Sequence, residues 1–170
     1  MIVLISIYKN DNASHLRLSI DSILHQTYSD FRILIGVDGY VDALLAETLK
    51  SYEQDNRIKV FWFKENRGLT AVLNELLEEG KKLNPSYIAR MDADDISRPN
   101  RFEKQVRYLE EHPDLDVLGG AIEEMDYDGK LNGKVIHYPL NHQQCFDFFA
   151  TRNPLAHPAV IVQGLPFLIE

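Results

Sequence analysis

Met1-Ile2-Val3-Leu4-Ile5-Ser6-Ile7-Tyr8 opens the chain, and within Ile2–Ile7 only Ser6 is polar. A strand wetted on one side alternates apolar and polar residues; a nearly unbroken short apolar run suits a strand covered on both faces. No basic segment precedes the run and no small-residue cleavage site follows it, so it reads as a buried strand and not as a secretory signal. Arg32–Val37, Ile58–Phe63 and Tyr87–Met91 repeat the theme. Amphipathic stretches separate these runs. Leu16, Leu18, Ile20, Ile23 and Leu24 suit a helix with Ser14 as its N-cap. Asp42–Gln54 reads as a second helix, and Leu69–Leu83 as a third with Leu69, Val72, Leu73, Leu76 and Leu77 on one stripe. This alternation predicts an α/β fold: a Rossmann-like, doubly wound, mostly parallel sheet with helices on both faces.

Further on, Pro99 suits the first turn of a helix over Arg101–Glu111. Val117–Met125 reads as a strand, and the turn signal Asp126-Tyr127-Asp128-Gly129 makes Glu123–Val135 a candidate hairpin. Without repeats or linker-like tracts, residues 1–170 read as one domain. Its apolar end, from Val160 to Glu170, lacks a polar cap. That predicts a chain that stops short of its closing elements.

The bulk properties narrow the chemistry. With a formal net charge of -8, the surface as a whole repels nucleic acid. An anionic ligand must then be met locally, by a metal, a few arginines or backbone N–H groups. Cys145 is the single cysteine, which rules out an internal disulfide, and it reads as a part-buried small apolar residue. No apolar run approaches the roughly 18 residues a membrane span requires.

In a doubly wound sheet, ligands bind beyond the carboxyl ends of the strands. Tyr8-Lys9-Asn10-Asp11 follows the first strand, Asp38-Gly39 the second, Asn66-Arg67-Gly68 the third and Asp92-Ala93-Asp94-Asp95 the fourth. Aspartates at three of four strand ends form the signal. Asp92 and Asp94, one residue apart, leave oxygens able to share a hard cation such as Mg²⁺ or Mn²⁺, with water and phosphate completing the shell. Arg90 and Arg98 are expected to offset the acidic charge. The bland alternative is a solvated acidic turn capping the next helix. Asp38 could contact a base or ribose, or simply close a turn with Gly39. Asn66–Gly68 could present helix N–H groups to a phosphate, or be an ordinary helix entry. Asn74 is a polar contact or an exposed residue. His15, His25, His112 and His142 read as surface or satisfied-core residues, whereas His157, between prolines, is more suggestive although a structural role is favoured.

Together these residues resemble the inverting glycosyltransferases of family 2, of the GT-A fold and the bacterial capsule or lipopolysaccharide type. Ser22-Ile23-Leu24-His25-Gln26-Thr27-Tyr28, Asn66-Arg67-Gly68-Leu69 with Leu73-Asn74, Tyr87–Asp95 with Pro99, Arg101 and Phe102, and Asn153–Pro158 match that family's motifs in order. The resemblance implies metal-dependent transfer of a sugar from a nucleotide-diphosphate donor, a UDP-sugar favoured, to a glycan or lipid-linked acceptor. Tyr8 and Asp11 would flank the base, Asp38 would contact it, and Asp92 would lie near the ribose. Ser6, Asn66, Gly68, Asn74, Arg90 and Ala93 complete the implied nucleotide-sugar set; Asp94, with Asp92, is the implied ligand pair for Mn²⁺ or Mg²⁺. Ser6 replaces a usual proline, and Val37 replaces the first of a usual aspartate pair. The general base is expected beyond Glu170, so a donor-binding fragment without turnover is the alternative. A haloacid-dehalogenase-like phosphatase, with Asp92 as nucleophile and Asp94 as general acid, is a weaker rival. The implied location is the cytoplasm, with peripheral association at the inner membrane face.

Overall fold

A computed structural model describes residues 1–164. Strands β1 (Ile2–Ile7), β2 (Arg32–Asp38), β3 (Ile58–Phe63) and β4 (Tyr87–Arg90) alternate with helices α1 (Ala13–Leu24), α2 (Ala43–Tyr52), α3 (Leu69–Lys81) and α4 (Arg101–Glu111). Beyond α4 come β5 (Val117–Leu118), β6 (Ile122–Met125), β7 (Leu131–Ile136), α5 (His142–Phe148), a 3₁₀ turn (His157–Ala159) and β8 (Ile161–Gln163). The main sheet runs β3-β2-β1-β4-β8-β5. Its first three contacts are parallel, while β8 is antiparallel to both β4 and β5. This is the expected mostly parallel sheet.

The reading of Ile2–Ile7 as a doubly covered strand holds because successive side chains leave opposite faces. Val3, Ile5 and Ile7 join Leu16, Ile20 and Ile23 of α1, Leu45 and Leu49 of α2, and Phe102 and Leu109 of α4 in one buried cluster. Ile2 and Leu4 instead join Val72 and Leu76 of α3. Helices therefore cover both faces. Helix α3 rests directly on the sheet, since a Cβ at Gly36 would stand 2.4 Å from Val72 Cγ1.

Several local expectations need correcting. Asn12, not Ser14, caps α1: its Oδ1 accepts from Ser14 N at 2.8 Å and His15 N at 3.3 Å. Asp42 is the N-cap of α2 rather than its first helical residue, accepting from Leu45 N at 2.8 Å. Pro99 lies outside α4, ahead of the cap residue Asn100. The predicted strand Val117–Met125 is broken at Gly119–Ala121, so β5 joins the main sheet and β6 pairs with β7 in a separate hairpin. That hairpin matches the turn signal, with a register shift between Glu123 and Met125. Leu69 is exposed, leaving Val72 and Leu76 as the buried part of the α3 stripe. Residues 165–170, including Glu170, lie outside the described residues.

Candidate active site

From β1 the chain winds outward through β2 and β3, then returns to lay β4 on the other flank of β1. The carboxyl ends of β1 and β4 thus form the topological switch point, where this sheet type leaves a crevice. Tyr8–Asp11 emerges from one strand and Met91–Asp95 from the other. Tyr8 is exposed, and Asp11 is fixed beneath it: Tyr8 N donates to Asp11 Oδ2 at 2.9 Å, and Asp11 N donates to Tyr8 O at 3.1 Å. Ser6 is half-buried in β1, paired with Gly36.

Asp11, Asp92, Asp94 and Asp95 lie there, near enough to feel one another's charge. Burial pushes the Asp11 carboxyl above its ordinary range, and the negative charges of Asp94 and Asp92 push it further. The same causes raise Asp95 to about 6, with Arg101 opposing them. A carboxyl whose folded pKa exceeds its unfolded value binds more protons in the folded state, so its ionisation works against folding. Stability from Asp95 is therefore full below 3.8 and is lost as pH rises towards 6. Asp95→Asn should flatten the decline in melting temperature between those pH values and raise it near pH 7. An unchanged pH slope would show that Asp95 does not carry the strain.

The loop bearing these acids is gripped from both sides. Arg90, half-buried, donates from Nη2 to Asp92 Oδ1 at 2.7 Å and from Nη1 to His157 Nδ1 at 2.9 Å. Arg98 does not share in this neutralisation, because its guanidinium pairs with Glu123 of β6. Helix α1 supplies the other side. Ser19 Oγ donates to Asp92 O at 2.8 Å, and Ser22 Oγ accepts from Ser97 N at 2.9 Å. Buried Gln26 donates to Arg98 O at 2.8 Å and accepts from Phe102 N at 3.0 Å. Sequence reasoning quoted Ser22 and Gln26 as motif residues without seeing this role, and missed Ser19 altogether. Arg101, half-buried, donates to Arg90 O at 3.2 Å and Val160 O at 3.3 Å, joining β4 to the segment before β8.

Asp38 belongs to a second cluster, at the ends of β2 and β3. It is buried, and its oxygens accept from Arg67 N at 2.6 Å and Gly68 N at 2.9 Å. Those two N–H groups, just ahead of the first turn of α3, are therefore spent on Asp38. Asn66 Nδ2 donates to the Asp38 carbonyl at 3.2 Å. Gly39 is needed where it stands: its φ is +82°, and an added Cβ would lie 2.9 Å from Asn66 N. Asn74 is exposed on α3. Asp38 thus shapes the Asn66–Gly68 loop, and any contact with a base must use lone pairs that the loop leaves free.

Among the described residues no three His, Cys, Asp or Glu side chains converge to form a metal cage. The donor chemistry still fits Mg²⁺ or Mn²⁺, which commonly take one or two carboxylates and complete their shell with water and phosphate. Asp94 is exposed, Asp92 has one oxygen committed to Arg90, and Asp11 and Asp95 are raised first by burial and then by the charges of Asp92 and Asp94. A cavity of about 440 Å³ lies elsewhere, against Gln144 and Phe148 of α5. Another of about 180 Å³ lies near the amino ends of β2 and β3. Neither cavity is lined by residues of the switch point.

Residues 2–162 match glycosyl transferase family 2. The chain belongs to that family. It is 36% identical over 160 residues to the O-antigen biosynthesis glycosyltransferase WbnJ of Escherichia coli, covering 94% of this chain and 59% of that protein. The amylovoran biosynthesis glycosyltransferase AmsE of Erwinia amylovora is 33% identical, with 94% and 58% covered. The bifunctional glycosyltransferase pgtA of Dictyostelium discoideum is 40% identical over 92% of this chain but only 24% of its own length. The chain thus spans well under two thirds of each. By structure it is similar to TarS residues 1–349 of S. aureus, with TM-score 0.64, 15% identity and 95% of this chain against 46% of that one. The mannosyltransferase PcManGT of Pyrobaculum calidifontis, solved with GDP-Man and Mn²⁺, gives TM-score 0.57 at 14% identity, over 72% and 35%. These likenesses show the GT-A fold. Family 2 membership bears out the resemblance read from the motifs and leaves the phosphatase alternative without support.

Proposed function

We propose that this family 2 chain is the donor-binding part of an inverting glycosyltransferase that takes a nucleotide-diphosphate sugar, a UDP-sugar favoured, at the β1–β4 crevice. The observation that supports it most is the placing of Asp11, Asp92, Asp94 and Asp95 at the switch point, close enough to feel one another's charge, which a cation would offset. Mn²⁺ or Mg²⁺, held by Asp94 with Asp92, would screen the diphosphate and stabilise it as it departs. The chain's own residues do the rest. Tyr8, exposed above Asp11, offers a ring face to the base. Asp38 keeps Asn66–Gly68 folded beside it, and Arg90 holds Asp92 in place. Transfer to a glycan or lipid-linked acceptor needs a proton acceptor for the attacking hydroxyl; no described residue is assigned that task. The likeness to enzymes named for O-antigen and amylovoran biosynthesis supports a saccharide acceptor. No helix among the described residues is long and apolar enough to cross a membrane. The proposed place of action is the cytoplasm, at the inner membrane face.

Thermal denaturation with UDP, GDP and their sugars, with and without Mn²⁺, tests the reading. UDP should raise the melting temperature when Mn²⁺ is present and do little alone. No response to any nucleotide in Mn²⁺ would count against the proposal, and binding without turnover would favour a donor-binding fragment.

A further inference from the structure

We infer that His157 is a positioning residue for the metal-binding carboxylate of Asp92, acting through Arg90; this rests on the donor-site reading above. His157 opens the 3₁₀ turn that leads into β8, and β8 runs antiparallel beside β4. The backbone fixes this juxtaposition. Arg90 N donates to Val160 O at 3.1 Å, and the half-buried Arg101 binds both the Arg90 and Val160 carbonyls. Arg90 then bridges two groups with separate nitrogens, Nη2 on Asp92 Oδ1 and Nη1 on His157 Nδ1.

A guanidinium can only donate, so Nδ1 of the ring must be the acceptor. With Nδ1 accepting, the neutral ring carries its proton on Nε2, and the Asn153 Nδ2 that lies 2.8 Å away is also a donor, so the ring is held through Arg90 and not by that amide. Arg90 Nε is buried with no hydrogen-bond partner among the described residues. The guanidinium therefore sits where its two terminal nitrogens are best served, at the expense of its third.

The pull of His157 on Nη1 matters for Asp92. Left to themselves, an arginine and a carboxylate favour a two-pronged contact that occupies both oxygens. With Nη1 held by His157, Arg90 reaches Asp92 through Nη2 on one oxygen, leaving the other free to face a cation. Groups that orient a metal ligand in this indirect way typically change affinity by about 10-fold or more when removed.

The test compares wild type, His157→Phe and His157→Asn by titrating Mn²⁺ in the presence of UDP, with the free ion followed by its electron paramagnetic resonance signal. Phenylalanine keeps the ring but has no acceptor; asparagine places a carbonyl oxygen where Nδ1 stood. His157→Phe should weaken Mn²⁺ binding about 10-fold, His157→Asn should restore most of it, and the melting temperatures without ligand should agree, because His157 is exposed. Equal Mn²⁺ affinity in His157→Phe and wild type would overturn the inference while leaving the donor site standing. So would equal weakening in both variants, which would deny the acceptor its part. If wild type itself binds no Mn²⁺ with UDP, the donor-site reading falls first and the inference with it.

Discussion

Asp94→Ala is expected to abolish the Mn²⁺-dependent stabilisation by UDP and to lower any sugar transfer by roughly 10²- to 10³-fold, the usual scale for losing one group aimed at developing charge. The size of the effect follows from the site's charge balance. Asp92 already gives one oxygen to Arg90, and Asp11 gives one to the Tyr8 N–H. Asp95 is raised to about 6 chiefly by burial. Asp94 is the exposed member, and so the acid best placed to meet a hydrated cation. For the same reason the variant should fold normally, since exposed substitutions away from packed features usually shift stability by less than about 0.5 kcal/mol. Removing one of the charges that oppose the ionisation of Asp11 and Asp95 should even favour the ligand-free protein slightly. A variant that keeps the UDP response in Mn²⁺ would move the cation away from this residue. Asp92→Ala is a poorer probe, because it strips the partner from a half-buried arginine as well.

How much of this could be read in the sequence depended on how local the cause was. The β1 run, the apolar stripe of α3 and the turn at Asp126–Gly129 act within a few residues, and all three were legible. Strand ends carrying aspartates pointed to the crevice because winding order alone decides where those ends meet. Cap choice was harder. Asn12 and Ser14 are both capable acceptors, and only the geometry after Asp11 decides between them. The strand break at Gly119–Ala121 was missed because apolar residues continue on both sides of it. Asp38 read as a base contact or a turn residue, and nothing local announced that backbone N–H groups 29 and 30 positions away would hold its carboxylate. Nor does any pattern announce that Arg90 will meet His157, 67 residues on, since that pairing depends on β8 lying antiparallel to β4. Contacts made across the fold by single polar side chains leave no periodic trace.

Gln26 is the case where such a contact should cost most. Gln26→Leu is expected to destabilise the protein by about 3 kcal/mol, because each buried polar group left unsatisfied costs about 1–3 kcal/mol. The side chain is 7% exposed and occupies a gap between α1 and the start of α4. Its Nε2 lies 3.0 Å from Ser22 O, 3.2 Å from Ser97 Oγ and 2.8 Å from Arg98 O, while its Oε1 accepts from Phe102 N. Leucine fills nearly the same volume, so no large cavity accompanies the loss and the polar term is isolated. For a chain of this size the melting temperature should fall by about 10 °C, with a matching drop in the urea midpoint. The second consequence separates this residue from an ordinary core position. Gln26 ties down Ser97 and Arg98, just past the acidic cluster, so freeing that loop should also weaken Mn²⁺ binding in the presence of UDP when measured well below the melting transition. Loss of stability with Mn²⁺ affinity intact would mean that the loop keeps its shape through Ser19 and Ser22 alone. A loss under about 1 kcal/mol would place it within the range of one ordinary hydrogen bond, and Gln26 would no longer rank as the anchor between α1 and the acidic loop.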